Sequence, residues 1–78
     1  MDRKEFSELL RRLEIDEHII VLDDSARDGY CVRKNGLRWE VLIRERGSES
    51  DVMGFPSESD ALQYLADKLI KIYRNDRT

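Results

Sequence analysis

The residue types that most often do chemistry are scarce in this chain, with one histidine, His18, and one cysteine, Cys31, among 78 residues. A tetrahedral zinc site draws on four ligands, usually clustered Cys and His, so this pair supplies no plausible set. A cysteine becomes a nucleophile beside a base. The sequence places none next to Cys31, which reads as a half-buried strand thiol. Asp23 with Asp24, and Glu58 with Asp60, have the right types for acid–base work. Turn formation already accounts for the first pair and helix capping for the second. The glycines at 29, 36, 47 and 54 are isolated, so no phosphate-cradling loop is expected. The chemistry points to a protein with no cofactor, no metal and no catalytic role, one that works by contact.

Contact needs a scaffold, and its elements are written locally. Residues 2–5, Asp-Arg-Lys-Glu, form a capping box, an acceptor followed three positions later by Glu. Phe6, Leu9, Leu10 and Leu13 follow at helical spacing, with Ile15 expected to pack just past the last turn. Residues 18–22 are β-branched and too short for a helix, predicting a strand. Residues 23–29 have turn chemistry throughout. Residues 30–34 predict a second strand, Asn35-Gly36 a type I′ hairpin turn, and residues 37–45 a third strand. Gly47 and its polar neighbours turn the chain into a short fourth strand over residues 51–55. Pro56 ends it, and Ser57 caps a second helix whose apolar stripe is Ala61, Leu62, Leu65, Leu69 and Ile72.

The expected architecture is a single α+β domain over residues 1–78: helix, four-stranded antiparallel meander, helix. With the turn at Asn35-Gly36, Val32 opposes Trp39 and Tyr30 opposes Val41, so the large apolar side chains share one face, beneath both helices. The other face carries Cys31, Arg33, Arg38, Glu40, Leu42, Arg44, Val52 and Gly54. It is expected to stay bare, with Arg33 facing Arg38 and with Leu42 and Val52 as an exposed apolar spot.

Charged and apolar residues each make up 40% of the chain, which is too apolar and too periodic for disorder. The longest apolar run, residues 19–22, is far too short to span a membrane. A lone cysteine and the lack of a signal-like segment near Met1 point to the cytoplasm. The net charge of −3 is segregated, acidic over residues 14–28 and 49–67 and basic over residues 33–46, which allows electrostatic steering of a partner. Helix, sheet, helix is also the order of double-stranded-RNA-binding domains. Those meet phosphate with lysines at the start of the second helix. Here that position holds Ser57-Glu58-Ser59-Asp60, which repels phosphate, so no nucleic-acid partner is expected.

One longer pattern remains. Trp39-x-Val41-x-x-x-Glu45-Arg46-Gly47, followed by Phe55-x-Ser57-Glu58-x-x-Ala61-x-x-Tyr64-Leu65, resembles small bacterial immunity-type proteins encoded beside polymorphic secreted toxins. Gly29-Tyr30-Cys31-Val32 is similar to the strand that leads into their tryptophan strand. The chain departs from the family at Leu42 and Ile43, where tyrosines are frequent, and at Pro56. The resemblance implies a protein that binds a cognate toxin domain in the cytoplasm and occludes its active site. Candidate contacts are the acidic connection, Asp23, Asp24 and Asp28; the loop after the third strand, Arg44, Glu45, Arg46, Glu49 and Asp51; and Arg38 and Leu42 on the adjoining sheet face. The rival reading is a structural or regulatory subunit that self-associates through that face.

Overall fold

The computed structural model describes residues 1–23 and 25–74. Helix α1 (Arg3–Arg12) starts at the expected capping box, in which the Asp2 carboxylate accepts the Glu5 N–H at 2.8 Å and Glu5 accepts the Asp2 N–H at 3.0 Å. It ends in a Schellman motif: Ile15 N–H reaches Leu10 O at 2.9 Å and Glu14 N–H reaches Arg11 O at 3.1 Å. Glu14 takes the left-handed position, φ +57°, that glycine usually fills. Helix α2 (Glu58–Arg74) begins at Ser57, whose hydroxyl accepts the Asp60 N–H at 3.1 Å. Phe6, Leu9 and Leu10 of α1 join Leu62, Leu65 and Leu69 of α2, with Val32 and Val41 of the sheet, in one core. Trp39, Tyr30 and Phe55 pack against that core half-buried.

The four strands are β1 (Ile20–Val21), β2 (Gly29–Asn35), β3 (Arg38–Glu45) and β4 (Ser48–Phe55), side by side in chain order. The class is α+β, as expected, but the sheet is mixed. β1 runs parallel to β2, pairing Ile20 with Tyr30 and Val21 with Cys31. The antiparallel meander therefore holds only for β2, β3 and β4. The first strand is also shorter than expected. Asp16 accepts the His18 N–H at 2.9 Å and starts a 3₁₀ turn over Glu17–Ile19, so an Asp side chain takes a donor that a strand would have used. His18 is exposed on that turn rather than lying along a strand edge.

The hairpin turn falls one residue later than expected. Gly36 and Leu37 form it, with Gly36 alone at positive φ, +65°, the geometry of a type II′ rather than a type I′ turn. Leu37 is consequently 94% exposed instead of facing the core. Val32 now pairs with Val41 and Lys34 with Trp39. Facing identities survive because the pairing moved by an even step and the side-chain period is two. Arg33 lies opposite Glu40, not Arg38, which removes the expected like-charge pair.

The bare face is the largest correction. Leu42 is 0% exposed and forms a second small core with Val21 and Cys31 on the side away from the helices. It is no exposed apolar spot and cannot serve as a contact in the folded protein. β4 is longer than expected, and a bulge between its Ser50 and Met53 pairings leaves Asp51 at φ +54°. The bulge puts Met53 opposite Val41 on the helix side.

The left-handed Glu14 gives a direct stability test. An L-residue there costs about 1–2 kcal/mol that glycine avoids. Glu14→Gly should raise unfolding free energy by about 1 kcal/mol and the melting temperature by roughly 4–8 °C, read by urea titration and calorimetry.

Candidate interaction surface

The second sheet face is built by cross-strand spacing. Arg33, Glu40, Arg44 and Glu49 stand on it around Leu42. Arg33 donates through Nε to Glu40 Oε1 at 2.9 Å and through Nη1 to Glu49 Oε2 at 2.8 Å. Arg44 Nη2 donates to the same Glu49 oxygen at 2.9 Å, and its Nη1 donates to the Ser25 carbonyl at 3.1 Å. Asn35 Nδ2 closes the far end on Glu40 Oε2 at 3.3 Å. The result is one chain of charge-assisted bonds whose guanidinium stems lie across the apolar patch. Exposed ion pairs contribute about 0–1 kcal/mol each. Burying Leu42 contributes about 1.5–3 kcal/mol. The packing under this network therefore matters more than its Coulomb energy.

The connection between β1 and β2 supplies the rest of the cover. Cys31 Sγ lies 3.9 Å from the Arg27 carbonyl and 3.6 Å from that of Gly29. Asp28 accepts the Arg46 backbone N–H at 3.0 Å. Asp23 folds the connection on itself by accepting the Ser25 N–H at 2.9 Å. A cleft of about 170 Å³ remains between connection and sheet, with Cys31 in its lining and Arg33 and Arg44 beside it.

These contacts set the ionisation of the groups. The hydrogen bonds from Arg44 and then Arg33 hold the Glu49 carboxyl below the usual glutamate range. Arg33 does the same for Glu40. The Ser25 backbone N–H lowers Asp23. Burial pushes the Cys31 thiol up, which disfavours the thiolate a nucleophile would need.

The candidate contacts are thus sorted by their surroundings. Asp24 lies outside the described residues. Leu42 is core, and Arg44 and Glu49 are bound into the cover. Arg38 is exposed with its guanidinium laid over Gly54, where an added Cβ would sit 2.8 Å from Nη2. Asp23, Asp28, Glu45, Arg46 and Asp51 are exposed. The Asp28–Arg46 bond joins the acidic connection to the β3–β4 turn, so two surfaces that look separate along the chain form one end of the molecule.

That end continues along β4. All of β4 is exposed up to Gly54, and as the last strand it has an unpaired outer edge among the described residues. Val52 and Met53 are 46% and 45% exposed there. Val52 is exposed on the face where the sequence put it, whereas Met53, opposite Val41 on the helix side, was not singled out as an exposed apolar residue. Arg33 was also missed as the centre of the cover, since its partner depended on the turn position. Among the described residues, no group of His, Cys, Asp and Glu side chains converges to hold a metal ion, and no helix is long and apolar enough to cross a membrane.

No protein-family model matches the chain, and neither a curated protein nor a solved structure matches it.

The depressed carboxyls make the cover acid-sensitive. Glu40 and Glu49 bind protons less readily folded than unfolded. Their contribution is present above the usual glutamate range and is lost as pH falls through the folded values. Glu49→Gln should flatten that acid limb of the stability curve. With the connection loosened, Cys31 should react with a thiol reagent about tenfold faster at neutral pH. Equal thiol rates in parent and variant would show that the ion-pair chain does not hold the connection down.

Proposed function

We propose that this protein is a non-enzymatic immunity-type protein, acting in the cytoplasm, that binds a cognate bacterial toxin domain and blocks its active site. The observation that carries this reading is the β3–β4 hairpin. Its turn is a tight two-residue loop, Arg46 at φ +53° and Gly47 at φ +80°, which holds Glu45 and Arg46 out from the sheet on a rigid support. Beside it runs an exposed strand edge with two half-exposed apolar side chains and the bulged Asp51. Apolar anchors inside a polar, charged rim are what a protein-binding surface requires.

The resemblance to immunity proteins supports the same reading, and the fold separates its parts. Phe55 stacks on Tyr64 with ring centroids 5.0 Å apart, Ser57 caps α2, and Ala61 and Leu65 are buried. Those positions serve the scaffold. Glu45 and Arg46 are the part of the pattern left facing outward, and they carry the proposed contact.

Self-association is the rival, and the β4 edge rather than the covered face is where it would occur. Antiparallel pairing of β4 with its own copy near the bulge brings Asp51 close to its symmetry mate. Such like-charge contact disfavours the pair, by roughly 0.2–1 kcal/mol.

The reading expects a toxin domain to be encoded beside the gene, and that domain is the probe of the test. Co-expression with the parent chain should restore growth. Arg46→Glu with Asp51→Asn should weaken toxin binding about tenfold or more, with the melting temperature unchanged, since Asn suits left-handed backbone and Glu is no more strained there than the present Arg. Full protection by the double variant would reject this surface. A stable homodimer by sedimentation, without protection, would favour the rival.

A further inference from the structure

The hairpin proposed as the toxin contact turns on a residue poorly suited to its backbone. Glu45 pairs with Ser48, so Arg46 and Gly47 are the two turn residues, at φ +53° and φ +80°. Positive φ at both is the type I′ form, which favours Asn, Asp or Gly. Gly47 meets that demand. Arg46 does not, because in left-handed backbone its Cβ crowds the following carbonyl oxygen. A residue in such backbone persists only where its surroundings hold it there.

One side chain does the holding. β2 begins at Gly29, opposite Arg44, so among the described residues no strand reaches the Arg46 N–H. The Asp28 carboxylate takes that donor instead, through Oδ2 at 3.0 Å. It bonds the backbone and not the guanidinium, which forms no ion pair among the described residues. A carboxylate on a backbone N–H is charge-assisted and stronger than a neutral bond. Asp28 is itself fixed from both sides. Gly29, next to it, lies so close to the Ile19 carbonyl that no Cβ fits. Upstream, the Ser25 carbonyl accepts from Arg44 at 3.1 Å.

We propose that Asp28 is a positioning residue for the toxin contact. Its carboxylate holds the Arg46 turn in the left-handed form, and so aims Glu45 and the Arg46 guanidinium without itself touching the toxin. That role rests on the toxin reading, but the bond acts in the free protein as well. Acceptor and charge are separable at this position. Asparagine keeps an oxygen acceptor on a side chain of the same length and loses the charge. Alanine loses both. A charge contact makes the two variants alike, and a positioning bond sets them apart.

In the free protein, Asp28→Ala should speed Arg46 amide exchange about tenfold and change the HN–Hα coupling that reads its φ. Asp28→Asn should keep that coupling and most of the protection. In an Arg46→Gly background, where positive φ carries no strain, Asp28→Ala should leave the Gly47 and Ser48 resonances in place. With the toxin domain, Asp28→Ala should bind about tenfold more weakly, and Asp28→Asn within about twofold of the parent. Three results would each overturn the proposal: an Arg46 amide unmoved by Asp28→Ala, equal Gly47 and Ser48 shifts in both backgrounds, or toxin binding by Asp28→Asn as weak as by Asp28→Ala. The amide readouts need no toxin. A parent protein that forms this turn and yet gives no growth protection therefore rejects the toxin reading alone.

Discussion

Residues 22–28 must carry the chain from the end of β1 back to the start of a parallel neighbour. Parallel connections ordinarily need a dozen residues or more. Seven suffice here only because the paired segment is two residues long, so the return distance is short. The crossing is closed at Gly29, where φ is +138° and a Cβ would meet the Ile19 carbonyl oxygen at 2.4 Å. Any side chain there would push β1 off the sheet.

Much else follows from that short return. With the helices on the Val32 and Val41 face, the connection passes over the other one, where it encloses Val21, Cys31 and Leu42. The Arg33–Glu49–Arg44 chain then completes the cover and ties Ser25 down. The same brevity stops β1 at Val21, and among the described residues the end of β2 has no ladder partner on that side. A small protein with a small core gains a second apolar cluster this way without a third helix.

The two edges of the sheet therefore differ in kind. β4 is long, exposed and interrupted by a bulge, a device that blunts indiscriminate strand pairing while re-aiming particular side chains. The β2 edge is short. Both lie outside the core that supports them, so changes at either should leave folding largely intact.

Local chemistry was legible from the residues alone. The Asp2 box, the Ser57 cap, the two amphipathic helices and the alternation of β2 and β3 each depend on neighbours within a turn or a strand pair. Facing identities at Val32, Trp39 and Val41 were legible too, because a period of two survives an even slip in register. The direction of β1, the cover over Leu42, the bulge at Asp51 and the meeting of Asp28 with Arg46 were not. Each depends on groups far apart in the chain approaching in space: where a connection crosses, which carbonyl a glycine admits, which carboxylate an arginine can reach. Residue order determined the elements and their inner faces, and only the tertiary structure decided which outer surface remained open, since that depends on what the connections lie across.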